Sequence, residues 1–225
     1  MNVELIDVMG SDLSVVNAAR VSYSKESEWD SITPAGPTPG LLKEKDEKLI
    51  KFLATHNHWS PFAHASLQFR IKAPIFVARQ LVKHQVGLVW NEVSRRYIKT
   101  EPEFWSPDYW RQSAENVKQG SSEDATPSQN IVDHMYIDAT RHCFDAYKAM
   151  LDIGVCPEQA RSVLPQSMLT EWYWSGTLYA FARVCNLRCS PDAQIESKEV
   201  ADKIALHCET LFPCSWRSLW NPSTH

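Results

Sequence analysis

Two stretches of the chain alternate apolar and polar residues, which is the period of a half-buried β-strand. Residues 2–8 form the first stretch, and residues 66–72, SLQFRIK, form the second. The alternation in the second stretch directs one set of side chains inward. That set is Leu67, Phe69 and Ile71. The pattern therefore predicts two strands in the first third of the chain.

Other segments repeat their apolar residues with the helical period, which predicts helices with one buried stripe. Their approximate bounds are 12–20, 41–56, 74–84, 129–153, 157–164, 178–187 and a last helix that Ser190 caps, with Pro191 as its first residue. Stretches 24–40 and 100–128 are polar or rich in Pro, Gly and Ser, and they predict irregular loops. Strands first and helices later indicate an α+β fold. No linker is visible, so we expect one domain over residues 1–225.

Composition and charge narrow the class of protein. The 225 residues are 44% hydrophobic, which is enough for a folded core without disulfides or metal. A net charge of -4 argues against nucleic-acid binding. No apolar run reaches the length of about 18 residues that indicates a membrane span, and the start lacks a signal-peptide pattern. The six cysteines form no CxxC pair, which favours reduced, buried thiols. We therefore expect a cytoplasmic protein with neither nucleic acid nor membrane as partner.

Three clusters of polar residues could carry chemistry, and the first is THNHWSPFAH at residues 55–64. Its histidines could be proposed as zinc ligands, but HxH matches the HExxH helix and closed Cys/His sites poorly. No acidic ligand lies nearby in the sequence. Capping, loop packing and hydrogen bonds to a ligand ring are better uses, so no metal site is predicted.

The second cluster is RQLVKHQVGLVWNEVSRRY at residues 79–97. Gln80, Lys83 and His84 have the spacing that places them on one face of the predicted buried helix. A dense polar group follows: Asn91, Glu92, Ser94, Arg95, Arg96 and Tyr97. An ion-paired turn is the structural interpretation. Burying so many donors beside one Glu is costly unless an anionic ligand or a partner chain satisfies them, and the density favours this second interpretation.

The third cluster spreads over residues 161–194 and adds three guanidiniums to the second. Its members are Arg161, Arg183, Asn186, Arg188 and Gln194. Together the two clusters offer enough cations for a phosphate and a polarised ring carbonyl. Neither GxGxxG nor GxxxxGK[ST] occurs, so neither phosphate-binding loop is encoded. The residues alone indicate an enzyme that binds an anionic, ring-bearing ligand without a metal or a nucleophilic Cys.

These stretches resemble the flavin-dependent thymidylate synthases (the ThyX family) along nearly the whole chain. The matching segments are LIDVMGSDLSVVNAARVS, HNHWSPFAH, IKAPIFVARQ, NEVSRRY, ARSVLP and NLRCSPDAQ. The resemblance implies that family's fold, a mixed sheet with packed helices that include a long central helix. It also implies a homotetramer whose active sites combine several subunits. The implied reaction is reductive methylation of dUMP to dTMP, with FAD as cofactor, methylenetetrahydrofolate as carbon donor and NADPH as reductant.

The resemblance also assigns site residues. It implies dUMP binding by Gln80, Lys83, Glu92, Val93, Ser94, Arg95, Arg96, Arg161 and Arg188, with the segment from Glu92 to Arg96 reaching the dUMP of another chain. It implies FAD binding by His58, Ser60, Lys83, His84, Gln85, Glu92, Thr177, Tyr179 and Arg183. Arg188 is the expected catalytic residue, because a guanidinium that holds the pyrimidine anion makes C5 more nucleophilic. Ser94 has no visible base beside it, so we assign it to binding.

The chain departs from the family at several of these positions. The family's Arg-His-Arg is Lys83-His84-Gln85, and the loop that follows is one residue longer. The cations expected at 85 and 179 are missing, while Arg95 and Arg183 are gained. We interpret the changes as charge redistributed around the flavin pyrophosphate; a weakened flavin site is the alternative. A divergent relative with a hydroxymethyl or other one-carbon product, and a catalytically silent nucleotide-binding protein, are the alternative functions.

Overall fold

The computed structural model describes residues 1–32, 40–98, 100–114 and 121–221. Four strands form one sheet in the order β1-β4-β6-β5, and all neighbours are antiparallel. These strands are β1 (Asn2–Met9), β4 (Ser66–Pro74), β5 (Leu88–Glu92) and β6 (Leu169–Thr177). The α+β class is confirmed, and the sheet is antiparallel instead of mixed. The two predicted strands are confirmed as β1 and β4, whereas β5 and β6 were not predicted.

The sheet buries one face against helices. The predicted inward residues Leu67, Phe69 and Ile71 are buried, and Phe69 lies opposite Trp174 of β6. Successive side chains of a strand point to opposite faces, so the other face carries the polar residues. On that face the Gln68 amide donates to Ser175 Oγ at 2.8 Å. One packed and one open face is the usual condition of an antiparallel sheet.

Eight helices lie in the described residues, several of them close to their predicted bounds. They are α1 (Asp12–Arg20), α2 (Glu44–Thr55), α3 (Ile75–Leu81), α4 (Gln129–Asp152), α5 (Pro157–Ala160), α6 (Leu178–Arg188), α7 (Ile195–Leu211) and α8 (Pro213–Leu219). Short 3₁₀ helices follow α1, precede β4 at Ser60–His64 and follow α5 at Arg161–Val163. Two short paired strands lie at the predicted loop 24–40: β2 (Ser31–Ile32) is within it, and β3 (Gly40–Leu41) spans its end and the first residue of the predicted helix 41–56. Residues 33–39 are outside the described ranges.

Two helix boundaries differ from prediction. Pro74 is the N-cap of α3, and this helix ends at Leu81 because His84 N–H donates to Leu81 O in a tighter turn at 3.0 Å. Lys83 and His84 therefore lie in the turn beyond α3 and not on its face. Helix α7 begins at Ile195 and not after Ser190, since Ala193 N–H bonds Ser190 O in a separate turn.

The buried side chains form one core that joins the sheet to α1, α2, α3, α6, α7 and α8. Trp172, Trp174 and Trp216 are among its largest members. Helix α4 contributes little: Tyr147 is its buried residue, and Met135 of the predicted apolar stripe is 66% exposed. All six cysteines are free, but the predicted burial holds for three of them: Cys185, Cys189 and Cys208 are buried, Cys143 and Cys214 are half-buried, and Cys156 is exposed. No helix within the described ranges is long and apolar enough to cross a membrane.

Candidate functional site

One group of predicted site residues gathers around the turn between α3 and β5, where the end of α6 packs. We call it the turn cluster; it consists of Gln80, Lys83, His84, Gln85, Arg183 and Arg188. Arg188, the last residue of α6, donates its Nε–H to His84 Nε2 at 3.0 Å. Gln80 accepts a hydrogen bond from the buried hydroxyl of Ser197 on α7. The turn cluster is therefore held by contacts between residues far apart in the sequence.

The environment of His84 keeps its imidazole neutral. Burial is the main cause, and the charges of Arg188 and Arg183 add to it, so the pKa of His84 falls to about 4. Burial also lowers the pKa of Arg188 from its usual value. Because a guanidinium N–H can only donate, His84 Nε2 must be the acceptor, and the ring proton sits on Nδ1.

A second group follows the end of β5. We call it the strand-end cluster; it consists of Glu92, Val93, Ser94, Arg95, Arg96 and Arg161. The Glu92 carboxylate accepts hydrogen bonds from Thr170 Oγ1 at 2.7 Å and from Trp90 Nε1 at 3.2 Å, which fix its orientation. Arg96 donates to Ser94 Oγ at 3.3 Å and pairs with Glu158 at 3.4 Å. Arg161 donates to the backbone carbonyl of Glu158 at 3.3 Å.

A cavity of about 580 Å³ lies beside the strand-end cluster. Its size is that of a small-molecule site. Glu92, Arg95 and Arg161 contribute to its wall. Arg95 donates to the carbonyls of Thr100 and Glu101, so its guanidinium also holds the segment that follows. Burial lowers the pKa of Arg95.

Of the remaining predicted flavin residues, Thr177 and Tyr179 lie at the start of α6 and Ser60 begins the nearby 3₁₀ helix. His58 lies at the end of α2, where its N–H donates to Leu53 O at 2.8 Å. Thr177 caps α6 by accepting the Ala180 N–H at 3.1 Å, and its own N–H donates to Gly87 O at 3.2 Å. The Tyr179 ring lies 6.1 Å from that of Trp59, which precedes Ser60. This group therefore adjoins the turn cluster through Gly87, whose φ of +78° suits glycine.

The two clusters lie at opposite ends of β5. The turn cluster lies at the end where the strand begins, at Leu88, which pairs with Gly176 of β6. The strand-end cluster lies at the other end, at Glu92, which pairs with Trp172. A strand rises about 3.3 Å per residue, so these ends are about 13 Å apart. No hydrogen bond or ion pair between described residues connects the clusters. One chain thus does not bring all the predicted dUMP residues together.

Most cations of the two clusters have no anionic partner among the residues that the structure describes. Across the residues with described positions, Lys83, Arg183 and Arg188 have no carboxylate within 4.0 Å, and the same holds for Arg95 and Arg161. Arg20, Arg70 and Arg111, outside the clusters, each pair with one. Arg95 and Arg188 are half-buried, and a half-buried cation without a counter-ion favours one from a ligand or another chain. Lys83, Arg161 and Arg183 are exposed, so water can solvate them and a ligand can reach them. The turn cluster is therefore suited to an anionic ligand, whereas the cavity beside the strand-end cluster offers carboxylates as well as Arg95 and Arg161.

The sequence reasoning missed three residues that support the site. Ser197 bonds Gln80, Glu158 holds Arg96 and Arg161, and Trp90 bonds Glu92. Trp90 also stacks on Trp172 with ring centres 4.3 Å apart. Alternation in residues 169–177 would have predicted β6 and with it this stacked pair. The partner of Gln80 depends on a contact across 117 positions, which no local pattern shows.

Comparison with known proteins finds one family. Residues 4–214 match the family described as thymidylate synthase complementing protein. A flavin-dependent thymidylate synthase of Kosmotoga olearia is 37% identical over 222 residues, covering 97% of this chain and 90% of the relative. The enzyme of Thermosipho africanus is 38% identical over 203 residues, covering 89% and 82%.

Solved structures agree with these relatives. PolB, a UMP/dUMP methylase from Streptomyces cacaoi, has been solved with 5-Br UMP bound and superposes with a TM-score of 0.81 at 30% identity. The superposition covers 96% of this chain and 92% of PolB. The same methylase bound with 5-Br dUMP gives a TM-score of 0.80.

Proposed function

The chain belongs to the thymidylate synthase complementing protein family, and on that premise we propose that it makes dTMP as a flavin-dependent thymidylate synthase. The reaction is the reductive methylation of dUMP, with methylenetetrahydrofolate as carbon donor and NADPH as reductant. When bound and reduced by NADPH, FAD would supply the hydride that completes the methyl group. The observation that carries the proposal is the set of unpaired cations, which occupy the positions that match the family's ligand-binding segments.

The residues present fit FAD. A pyrophosphate needs cations free of internal carboxylates, and Lys83 and Arg183 meet that condition in the described chain. His84, Gln85, Thr177 and Tyr179 would complete this part of the cofactor site, with Ser60 near the start of α6 and His58 at the end of α2. Arg183 compensates for the cation missing at 85, because its charge already acts on His84.

The dUMP pyrimidine would meet Arg188, whose terminal NH₂ groups have no hydrogen-bond partner among the described residues and could bind a carbonyl oxygen. A guanidinium there stabilises negative charge on the ring and makes C5 the nucleophile, so no Cys adduct is needed. The half-buried thiol of Cys214 agrees with this: burial, with a smaller contribution from the Asp12 charge, raises its pKa to about 12. The dUMP phosphate would meet Arg96 and Arg161 of the strand-end cluster.

We propose that each site joins the turn cluster of one chain with the strand-end cluster of another in a homotetramer. Two observations support the pairing: the clusters lie at opposite ends of β5, and each keeps unpaired cations. The same proposal treats residues 1–225 as a single synthase domain, in agreement with the family match and the single core.

UMP is a second candidate substrate, since the PolB structures are those of a UMP/dUMP methylase. Both nucleotides present the same ring and phosphate to the two clusters. They differ in the ribose 2′-hydroxyl alone.

Product analysis tests the proposal. Purified protein with FAD, NADPH and methylenetetrahydrofolate is incubated with dUMP or UMP, and the nucleotides are resolved by liquid chromatography with mass spectrometry. We expect dTMP from dUMP. A hydroxymethyl product would indicate the divergent relative, and 5-methyl-UMP alone would indicate that UMP is the substrate. If the protein is purified without flavin and makes no product even with added FAD, it is the catalytically silent nucleotide-binding protein.

A further inference from the structure

We propose that His84 is a positioning residue for Arg188. Its imidazole accepts the Arg188 Nε–H and so orients the two terminal NH₂ groups toward the substrate ring without neutralising their charge. The inference rests on the proposed function, because it assigns a role within that reaction.

The contact with His84 leaves the two terminal nitrogens of the Arg188 guanidinium available to a ligand. The bond from Arg188 to His84 is 3.0 Å long and uses Nε alone. Among the described residues, neither terminal nitrogen of Arg188 has a hydrogen-bond partner or a carboxylate in reach. A guanidinium fixed along its Nε edge can still donate two parallel hydrogen bonds from its terminal nitrogens.

The choice of imidazole as acceptor has a chemical consequence. A carboxylate in the same place would hold Arg188 equally well, but it would form an ion pair and offset the positive charge that stabilises the substrate anion. A neutral imidazole orients the guanidinium and leaves its charge available. Burial and the charges of Arg188 and Arg183 keep His84 neutral near pH 7, so the acceptor is present under working conditions.

The fold places His84 before any ligand arrives. The His84 N–H donates to Leu81 O at 3.0 Å, and the turn then enters β5 at Leu88. His84 is half-buried, whereas its neighbours Lys83 and Gln85 are exposed. The turn therefore directs the imidazole at the end of α6 and leaves the two neighbours available to the cofactor.

Three substitutions separate orientation from charge. His84→Leu removes the acceptor, His84→Gln offers a neutral acceptor, and His84→Glu offers a charged one. We expect kcat to fall about 10- to 100-fold in His84→Leu, the range for a misplaced catalytic group. His84→Gln should recover most of that loss, and His84→Glu should be as slow as His84→Leu. FAD content, from flavin absorbance, and the melting temperature are recorded for each variant.

A double-mutant cycle tests whether His84 acts through Arg188. In the Arg188→Ala background, His84→Leu should change kcat less than about twofold, because the group it positions is gone. An equal loss in both backgrounds would overturn the proposal. Recovery of His84→Leu by excess FAD would also overturn it, by showing that His84 serves the flavin alone.

Substrate binding gives a readout without turnover. Calorimetric titration of dUMP into oxidised protein, with no NADPH, should show about 3- to 10-fold weaker binding in His84→Leu than in the wild type. The double variant should bind dUMP as tightly as the single Arg188→Ala variant. If the wild type makes no dTMP, the proposed function fails by itself. Equal dUMP affinity in the wild type and His84→Leu would reject the positioning role even then.

Discussion

Two arginines that distinguish this chain from its family serve different ends of the site. The sequence suggested that Arg95 and Arg183 together compensate for the cations missing at 85 and 179. Arg183 does act electrostatically on His84 in the turn cluster. Arg95 instead bonds the carbonyls of Thr100 and Glu101 in the strand-end cluster. Within one chain, compensation at the flavin is therefore a role for Arg183.

Single substitutions test this division. Arg183→Ala should weaken FAD binding by about 1.5–3 kcal/mol, the range for a hydrogen bond to a charged group. Arg95→Ala should leave FAD affinity close to that of the wild type and should raise KM for dUMP, because it loosens the segment after Ser94. The measurement is titration of FAD into apo-protein at one salt concentration, since charged contacts are screened by salt. Weaker FAD binding in Arg95→Ala than in Arg183→Ala would contradict the assignment.

At the scale of elements, one buried carboxylate joins the two ends of the chain. Asp12, the first residue of α1, accepts the backbone N–H groups of Cys214 and Ser215 at 2.9 Å each. These donors belong to the first turn of α8 and have no partner within their own helix. Burial raises the pKa of Asp12 above its ordinary value of 3.8, although its hydrogen bonds oppose that shift.

Stability measurements on Asp12 variants follow from these contacts. Asp12→Ala should lower the free energy of unfolding by about 1–3 kcal/mol, because it leaves buried donors unsatisfied. The pKa of Asp12 is higher in the folded state than in the unfolded state. The folded protein therefore loses stability as the pH rises from the unfolded pKa to the folded pKa, because the buried carboxyl group must ionise. Wild type should therefore gain stability relative to Asp12→Asn as the pH falls through the raised pKa of Asp12 toward the ordinary value of 3.8, and the difference should be constant at higher pH. Urea unfolding followed by Trp fluorescence measures both effects, and an opposite pH trend would refute the sign.

The elements differ in how well the sequence predicted them. Helices α1, α2, α4 and α6 have long apolar stripes and clear ends, and they were predicted well. Strand β5 was missed because Asn91 and Glu92 give its five residues a polar end. The Ser190-Pro191 signal was wrong for α7, since a separate turn uses Ser190. Local sequence patterns therefore predicted the elements whose ends depend on residues nearby in the sequence.

The candidate site shows the same limit. Its residues were named from motifs, but their division into two clusters follows from strand pairing that the sequence did not predict. The contact between His84 and Arg188 spans 104 positions. No periodicity within either segment indicates such a pairing. Only the packing of α6 beside the turn after α3 brings the two side chains together.

At the scale of the whole molecule, α4 exposes apolar residues that a lone chain would bury. Ile131, Met135 and Ile137 are each more than half exposed, at 63%, 66% and 58%. Ile131 and Met135, one helical turn apart, share a face of α4, and adjoining exposed apolar residues of this kind occur at protein interfaces. Together with the divided site, they favour an assembly in which neighbouring chains complete each other.

Mixing two inactive variants tests that assembly. Arg188→Ala damages the turn cluster and Arg161→Ala the strand-end cluster, and each alone should lose at least about tenfold in activity, as expected for a lost charged hydrogen bond. If every site takes one cluster from each of two chains, random mixed oligomers hold about a quarter of their sites intact. Co-expression with two affinity tags isolates those oligomers, whose activity should rise well above that of either parent.

A matched pair from the same cluster supplies the control. In mixed oligomers of Arg188→Ala and Gln80→Ala, every turn cluster carries one defect, so no intact site can form and activity should stay low. Light scattering on each sample shows whether the oligomers have the same size. Equal activity in both mixtures, or full activity of a monomer, would show that one chain holds a complete site. The separation of the clusters along β5 would then have to be bridged by movement within the chain instead of by a neighbour.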